Sequence, residues 1–198
     1  MGDLEIRDLG PELLDDYVRF MEHDAFGGNP DWEGCYCREG HWAGTDSAAD
    51  SESREHNKQV VTGLIAGGEH TGLLAFEDGK VVGWCHAEPL SMMQNPDYRM
   101  DRTDEELAAI GGIVCFNLAE SHRRQGLPGV LLRAAVERFR DRGLSTAEAY
   151  PWKEPSPRPG RNYLGTVHLY EIHGFKAVGE HGDAVVMRRD LTIGGERA

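Results

Sequence analysis

The sequence predicts a single mixed α/β domain, α+β-like in arrangement, over residues 1–192, followed by a flexible tail over 193–198. Three observations predict it. Some segments carry apolar residues at helical spacing and others at strand spacing. Asp78-Gly79 lies between two β-rich runs, and this dipeptide accepts the positive φ angles of a tight hairpin turn. A short, nearly continuous apolar run, Gly111 to Leu118, stands directly before another helical stripe and suits a strand buried on both faces. With 198 residues the chain is long enough for one full core.

The elements follow in order. Leu4 to Leu9 alternates weakly and opens as a strand. After Pro11, Leu13, Leu14, Tyr17, Val18 and Met21 fall at helical spacing. Ala25 to Asp50 has no clear period but holds Trp32, Trp42 and "GCYCREGHW". A loop this long is usually functional or disordered, and its aromatics argue against disorder. "SESREHNKQVVTGLIAGG" reads as a helix capped by Ser51 or Ser53 and ended by Gly67. "TGLLAFEDGKVVGWCHAEP" is the hairpin, and "LSMMQNPDYRMDRTDEELAA" is a polar insertion, partly helical near its end.

Past the Gly111–Leu118 strand, Leu127, Val130, Leu131, Ala134, Ala135, Arg138 and Phe139 share one side of a helix that Gly143 terminates. "STAEAY" is a strand and "PWKEPSPRPGRN" a proline-rich loop. "YLGTVHLYEIHGF" is a short helix ending at Gly174, and a final hairpin turns at Gly182-Asp183. No internal repeat and no second core are expected.

The formal net charge of −13 argues against general nucleic-acid binding, which needs a broad basic surface. It suits a cationic small substrate, because an acidic surface raises the local cation concentration; solubility alone explains it too. No apolar run approaches the ~20 residues of a membrane span, so no membrane partner is expected. "MGDLEIRDL" lacks the pattern of a signal peptide, and Ile6 breaks the myristoylation pattern, so a cytoplasmic location is expected. In that compartment Cys35, Cys37, Cys85 and Cys115 are free thiols or ligands rather than disulfides. Cys35, Cys37 and His41 could join Cys85 or His86 around zinc. The spacing departs from that of structural zinc sites, however, and no metal is expected.

Within this acidic chain "ESHRRQGLPGVLLRAAVERF" is a basic knot before a helix. The first amides of a helix have no intrahelical partner, and the dipole leaves positive charge there. Arg123 and Arg124 add donors suited to phosphate, Gly126 permits close backbone approach, and Pro128 fits a first helical turn. A strand-to-helix turn with solvated arginines accounts for the same residues. Neither a nucleotide-hydrolysing P-loop pattern nor a dinucleotide fingerprint is present.

"RRQGLP" and the later "LYEIHGF", Leu169 to Phe175, resemble two signatures of the GNAT superfamily of N-acetyltransferases. The first is Q/R-x-x-G-x-G/A, with Pro128 standing where the family has Gly or Ala. "GCYC", "GLLAFEDGKVVGW" and "EAYP" resemble a bacterial GNAT subgroup with an N-terminal C-x-C segment. The element order matches from about Leu4 to Leu191. The resemblance implies a mostly antiparallel twisted sheet of about seven strands flanked by about four helices, with the fourth and fifth strands splayed.

It also implies an acyltransferase that moves acetyl from acetyl-CoA directly to the amine of a small acceptor in a ternary complex. Alternatives are a non-catalytic acyl-CoA-binding sensor, a protein lysine or N-terminal acetyltransferase, and a longer acyl donor; a homodimer is the oligomer considered. Asn117, Leu118 and Ala119 would hold pantetheine, with an amide near Leu118 polarising the thioester carbonyl. Arg123, Arg124, Gln125, Gly126, Leu127, Pro128 and Gly129 would hold the pyrophosphate, chiefly by the amides of Gly126 and Gly129, and Tyr163 joins the cofactor set. Tyr170 would protonate the departing thiolate, since a thiol near ~8.5 and a tyrosine near ~10 need little tuning. Some members place a glutamate base where this chain has Gly112, so Glu88 is the substitute base, with His86 and then Asp183 behind it. Cys37, Trp42, His86 and Tyr150 are the expected acceptor-binding residues.

Overall fold

The computed structural model describes residues 3–27, 33–43, 53–157 and 162–192. Trp32, the Ser51 alternative for a cap, and the tail expected over 193–198 lie outside the described residues. The strands are β1 (Glu5–Asp8), β2 (Gly72–Glu77), β3 (Lys80–Pro89), β4 (Ile110–Leu118), β5 (Thr146–Ala149), β6 (Lys176–His181) and β7 (Ala184–Asp190). The helices are α1 (Leu14–His23), α2 (Arg54–Ala66), α3 (Pro96–Arg99), α4 (Asp104–Ala108), α5 (Leu127–Asp141) and α6 (Val167–Glu171). No described helix is long and apolar enough to cross a membrane.

The strands form one sheet in the order β1-β2-β3-β4-β5-β7-β6. Every pairing is antiparallel except β4 with β5. Asp78 (φ 50°) and Gly79 (φ 73°) both lie in the left-handed region, so the β2–β3 turn is the tight hairpin the sequence predicts. Ser53 caps α2 by accepting from the His56 amide.

The polar insertion is more ordered than the sequence suggests. Asn95 caps α3, which has Pro96 in its first turn, and Thr103 with Glu106 forms a capping box on α4. These two short helices raise the number among the described residues to six, against the four or so expected. The insertion also builds the second core that was not expected. Leu90, Met93, Tyr98 and Leu107 pack with Ile110, Val114, Tyr150 and Val186, apart from the main cluster that α1, α2 and α5 form with the sheet.

Two irregularities shape the middle of the sheet. The β3–β4 register slips between His86 and Ala87, which face Cys115 and Ile113, so Val114 is the extra residue of a bulge. Beyond it, β5 leaves β4. Their pairing runs only from Ile110↔Thr146 to Ile113↔Ala149, while β4 continues to Leu118.

Candidate active site

The departure of β5 opens a cavity of about 610 Å³. Phe116, Asn117 and Leu118 of β4 form one wall; Tyr163, Thr166 and Leu169 lie across from them. A bond spans the gap, from the Phe116 amide to the Tyr163 carbonyl, at 2.6 Å. Strand amides alternate in direction. The Ala119 amide points into the sheet, donating to Val82 O at 3.0 Å, and Phe116 points the other way, so Leu118 N–H also points to the open side. Ala119 is thereby spent on the sheet and does not line the cavity. The Asn117 amide group donates to Cys37 Sγ (3.2 Å) and Cys115 Sγ (3.5 Å), beside the cavity.

At one end the cavity meets the N-terminus of α5. Arg124 (φ 61°) and Gly126 (φ 81°) are both left-handed, which gathers successive amides into an anion-binding concavity. The Arg124 conformation costs about 1–2 kcal/mol, the kind of strain found at functional turns. Among the described residues, the amides of Arg124, Gln125 and Gly126 have no backbone acceptor, whereas Gly129 N–H donates to Gly126 O at 3.0 Å. The expectation that Gly129 supplies a phosphate donor is therefore corrected: Pro128 has no N–H, and the next amide closes the first helical turn. Arg123 also differs from expectation. Its Nε donates to Leu118 O (3.2 Å) and a terminal nitrogen to Ala25 O (3.4 Å), tying the loop to the end of β4. Gln125 folds back onto Ser121 O, and neither it nor Leu127 lines the cavity. Arg133 and His173, in contact at 3.4 Å, do line it. The sequence held a signal for Arg133, which stands one helical turn after Gly129.

A second cavity, about 220 Å³, is walled by Tyr98, Tyr150 and Trp152, with the acidic residues Glu39, Asp97 and Asp183. Leu164 lines this cavity while Tyr163 and Gly165 line the first, so one short segment separates them. Glu39 Oε1 accepts from the Tyr98 hydroxyl at 3.1 Å. Glu39 is exposed as a residue, but its carboxyl tip is crowded against the cavity wall and loses part of its water. This loss, reinforced by Asp97, raises its pKa above the ordinary value against the opposing effect of the Tyr98 bond. Tyr150 donates to Glu148 Oε1 at 2.6 Å, and Arg102 and Arg188 complete the charge balance around that buried carboxylate.

A model of the Acetyltransferase (GNAT) family matches residues 31–175. The chain belongs to that family. It is accordingly an acetyl-CoA-dependent acyltransferase. Solved structures agree in fold. The PaiA N-acetyltransferase of Thermoplasma acidophilum, bound to coenzyme A, is 17% identical with a TM-score of 0.56, over 95% of this chain and 99% of that one. AAC(6')-Ib, in complex with ribostamycin and coenzyme A, is 18% identical with a TM-score of 0.59, over 95% and 93%. The ribosomal-protein-S18-alanine N-acetyltransferase of Escherichia coli is 14% identical with a TM-score of 0.54, over 99% of each chain. No curated protein matches the chain.

Against this GNAT fold the expected site residues divide. Asn117, Leu118, Arg123, Arg124, Gly126, Pro128, Gly129 and Tyr163 meet at the first cavity, and Tyr150 at the second. Trp42 sits on the surface, 38% exposed. Tyr170 is fully buried, lines neither cavity, and donates to Leu164 O at 2.8 Å. Burial pushes its hydroxyl well above pKa 10, so the untuned tyrosine expected from the sequence is not what the fold provides. Gly112 pairs with Glu88 in the sheet, and a side chain at 112 would meet Leu90 Cδ2 at 2.4 Å, so no glutamate fits there.

Glu88 and His86 are not brought to either cavity. Both are sealed in the core together with His41 and His70. Burial alone would raise the Glu88 carboxyl, but the His86 and His41 imidazoles outweigh it and hold it well below the carboxylate range. Neither Cys35 nor Cys37 joins this cluster; the Cys37 and Cys115 sulfurs lie 2.8 Å apart instead. Buried polar atoms left without a hydrogen bond cost roughly 1–3 kcal/mol each, and this cluster holds several. Sequence reasoning missed both Glu39 and His70, which stand in connections without periodicity.

Proposed function

We propose that the chain transfers acetyl from acetyl-CoA to the primary amine of a small cationic acceptor, by direct attack in a ternary complex. The observation that carries this reading is the position of the second cavity. It brings the carboxylates of Glu39, Asp97 and Asp183 to the same 163–165 segment that walls the first cavity. Three acidic residues beside aromatic rings favour a ligand with more than one positive centre. The first cavity suits the acyl donor, with the free amides from Arg124 to Gly126 facing phosphate and Leu118 N–H facing the thioester oxygen.

Glu39 is the general base in this reading. An alkylamine of pKa ~10.4 is almost wholly protonated at neutral pH, so a base must remove one proton before attack. The raised Glu39 carboxyl lies closer to that task than an ordinary carboxylate. The neutral nitrogen then forms its bond to the carbonyl carbon, and the carbon–sulfur bond breaks with the electron pair leaving on sulfur. The nitrogen, now positively charged, gives up a second proton to solvent while the thiolate takes one from solvent, leaving a neutral amide and a free thiol. Tyr170 serves here as a positioning residue that holds Leu164 between the two cavities. Its hydroxyl proton is committed to Leu164 O, and its raised pKa makes proton transfer to a thiolate near ~8.5 uphill by about 1.4 kcal/mol per unit of difference, so it is not the acid for the departing sulfur in this reading.

The test is calorimetric binding of acetyl-CoA, followed by thiol release across neutral, monoamine and polyamine acceptors. Faster turnover of polyamines supports the reading. Equal turnover of neutral amines would sink it, and binding without release for any amine would favour the acyl-CoA sensor, to which the closed position at Gly112 also points.

A further inference from the structure

We infer that His41, His70, His86 and Glu88 form a buried site for a divalent transition metal, with zinc the fitting ion. The four residues come from three parts of the chain: the 3-10 turn Arg38–His41, the connection before β2, and β3. Their ligand atoms all lie within 4.8 Å of one another. Glu88 Oε1 is 3.1 Å from His41 Nε2 and 3.2 Å from His86 Nε2. A tetrahedral ion with ligand bonds of ~2.0–2.1 Å needs edges of ~3.3 Å, so two edges of the tetrahedron stand near their final length.

The remaining bonding supports a ligand set more than a hydrogen-bonded cluster. His41 Nε2, both nitrogens of His70, both nitrogens of His86 and Glu88 Oε1 are buried without an aligned hydrogen bond. Glu88 Oε2 is held instead by the Thr71 amide at 3.0 Å, which orients the carboxylate and leaves Oε1 facing the imidazoles. Ring centroids of 4.9 Å (His41–His70) and 4.4 Å (His70–His86) bring the third imidazole to the same point. Three imidazoles and one carboxylate match the donor preferences of zinc. All four side chains are at most 5% exposed, so the site is closed and structural, with no open position for a substrate.

Such an ion would fasten the 33–43 segment to the sheet. That segment is otherwise tied to the insertion by Gly40 O, which accepts from the Gln94 (2.9 Å) and Asn95 (3.1 Å) amides. Glu39 lies two residues before His41, so the ion would fix the proposed base; this consequence alone rests on the function proposed above.

The experiment uses the full chain, expressed in zinc-supplemented medium and purified without a metal-affinity column. Elemental analysis is expected to find about one zinc per chain, and cobalt substitution to give the intense visible bands of a tetrahedral site. His70→Ala and Glu88→Gln should lose the ion, while His23→Ala, an exposed histidine, should keep it. Since the first two variants could misfold, the chelator-treated wild-type chain is also titrated with zinc while its melting temperature is followed. A rise that saturates at one equivalent supports the site. Absence of zinc from the purified chain together with no thermal shift on titration overturns it, as does full zinc retention by folded H70A and E88Q. Each readout is made without an acyl donor or amine, so a failed metal site is distinguishable from a failed acetyltransferase assignment.

Discussion

The Tyr98 hydroxyl donates to Glu39 Oε1 at 3.1 Å, joining two connecting segments that neither periodicity nor motif had linked. Through this bond the insertion between β3 and β4 reaches the segment that carries the proposed base. Glu39→Gln keeps the shape and removes the basicity. Steady-state thiol release should fall by ~10²–10⁴ in kcat with acetyl-CoA affinity unchanged. Unchanged kcat would remove the base assignment.

The same carboxyl sets the acid limb of the pH profile. A base works when deprotonated, so activity rises with pH through the Glu39 pKa, which partial loss of water at the carboxyl tip and the Asp97 charge place above the ordinary carboxylate value. Asp97→Asn removes a like charge and should move the limb to lower pH. Tyr98→Phe removes a donor to the carboxylate and should move it to higher pH. A profile of kcat/KM that ignores both substitutions would exclude Glu39 as the titrating group.

Gly126 stands at φ 81°, with open space where a Cβ would go. Gly126→Ala therefore meets backbone strain of about 1–2 kcal/mol and no clash. If the loop relaxes to escape that strain, its amides turn from the cavity. KM for acetyl-CoA should rise roughly 5- to 30-fold, with kcat affected less.

Tyr170→Phe leaves the buried Leu164 carbonyl without its donor. Thermal or denaturant unfolding should show a loss of about 1–3 kcal/mol. For a positioning role, KM for the amine changes along with kcat. A pure loss of kcat at unchanged stability would instead restore a direct role at the sulfur.

Asp183 lies at the turn of the last hairpin and lines the acidic cavity. Asp183→Asn should reduce the preference for polyamine over monoamine acceptors, read as a ratio of kcat/KM values. An unchanged ratio would place the cationic group elsewhere.

Much of this protein was legible in its residues. Asp78-Gly79 specified a hairpin because its backbone geometry is local. The apolar run ending at Leu118 and the stripe after Gly126 announced a buried strand and an amphipathic helix through period alone. "RRQGLP" and "LYEIHGF" carried the family, since both act through short-range backbone and helix geometry. The tertiary structure decided what depends on distance along the chain. Glu39 and Asp183 meet only because the 33–43 segment and the last hairpin close on the same end of the sheet. The sequence presents Glu88 as a substitute base, whereas a strand buried on both faces draws it into the core beside His41, His70 and His86. Periodicity reports which face a side chain takes. It does not report which remote groups share that face, and the chemistry of both the acidic cavity and the histidine cluster lies in that sharing.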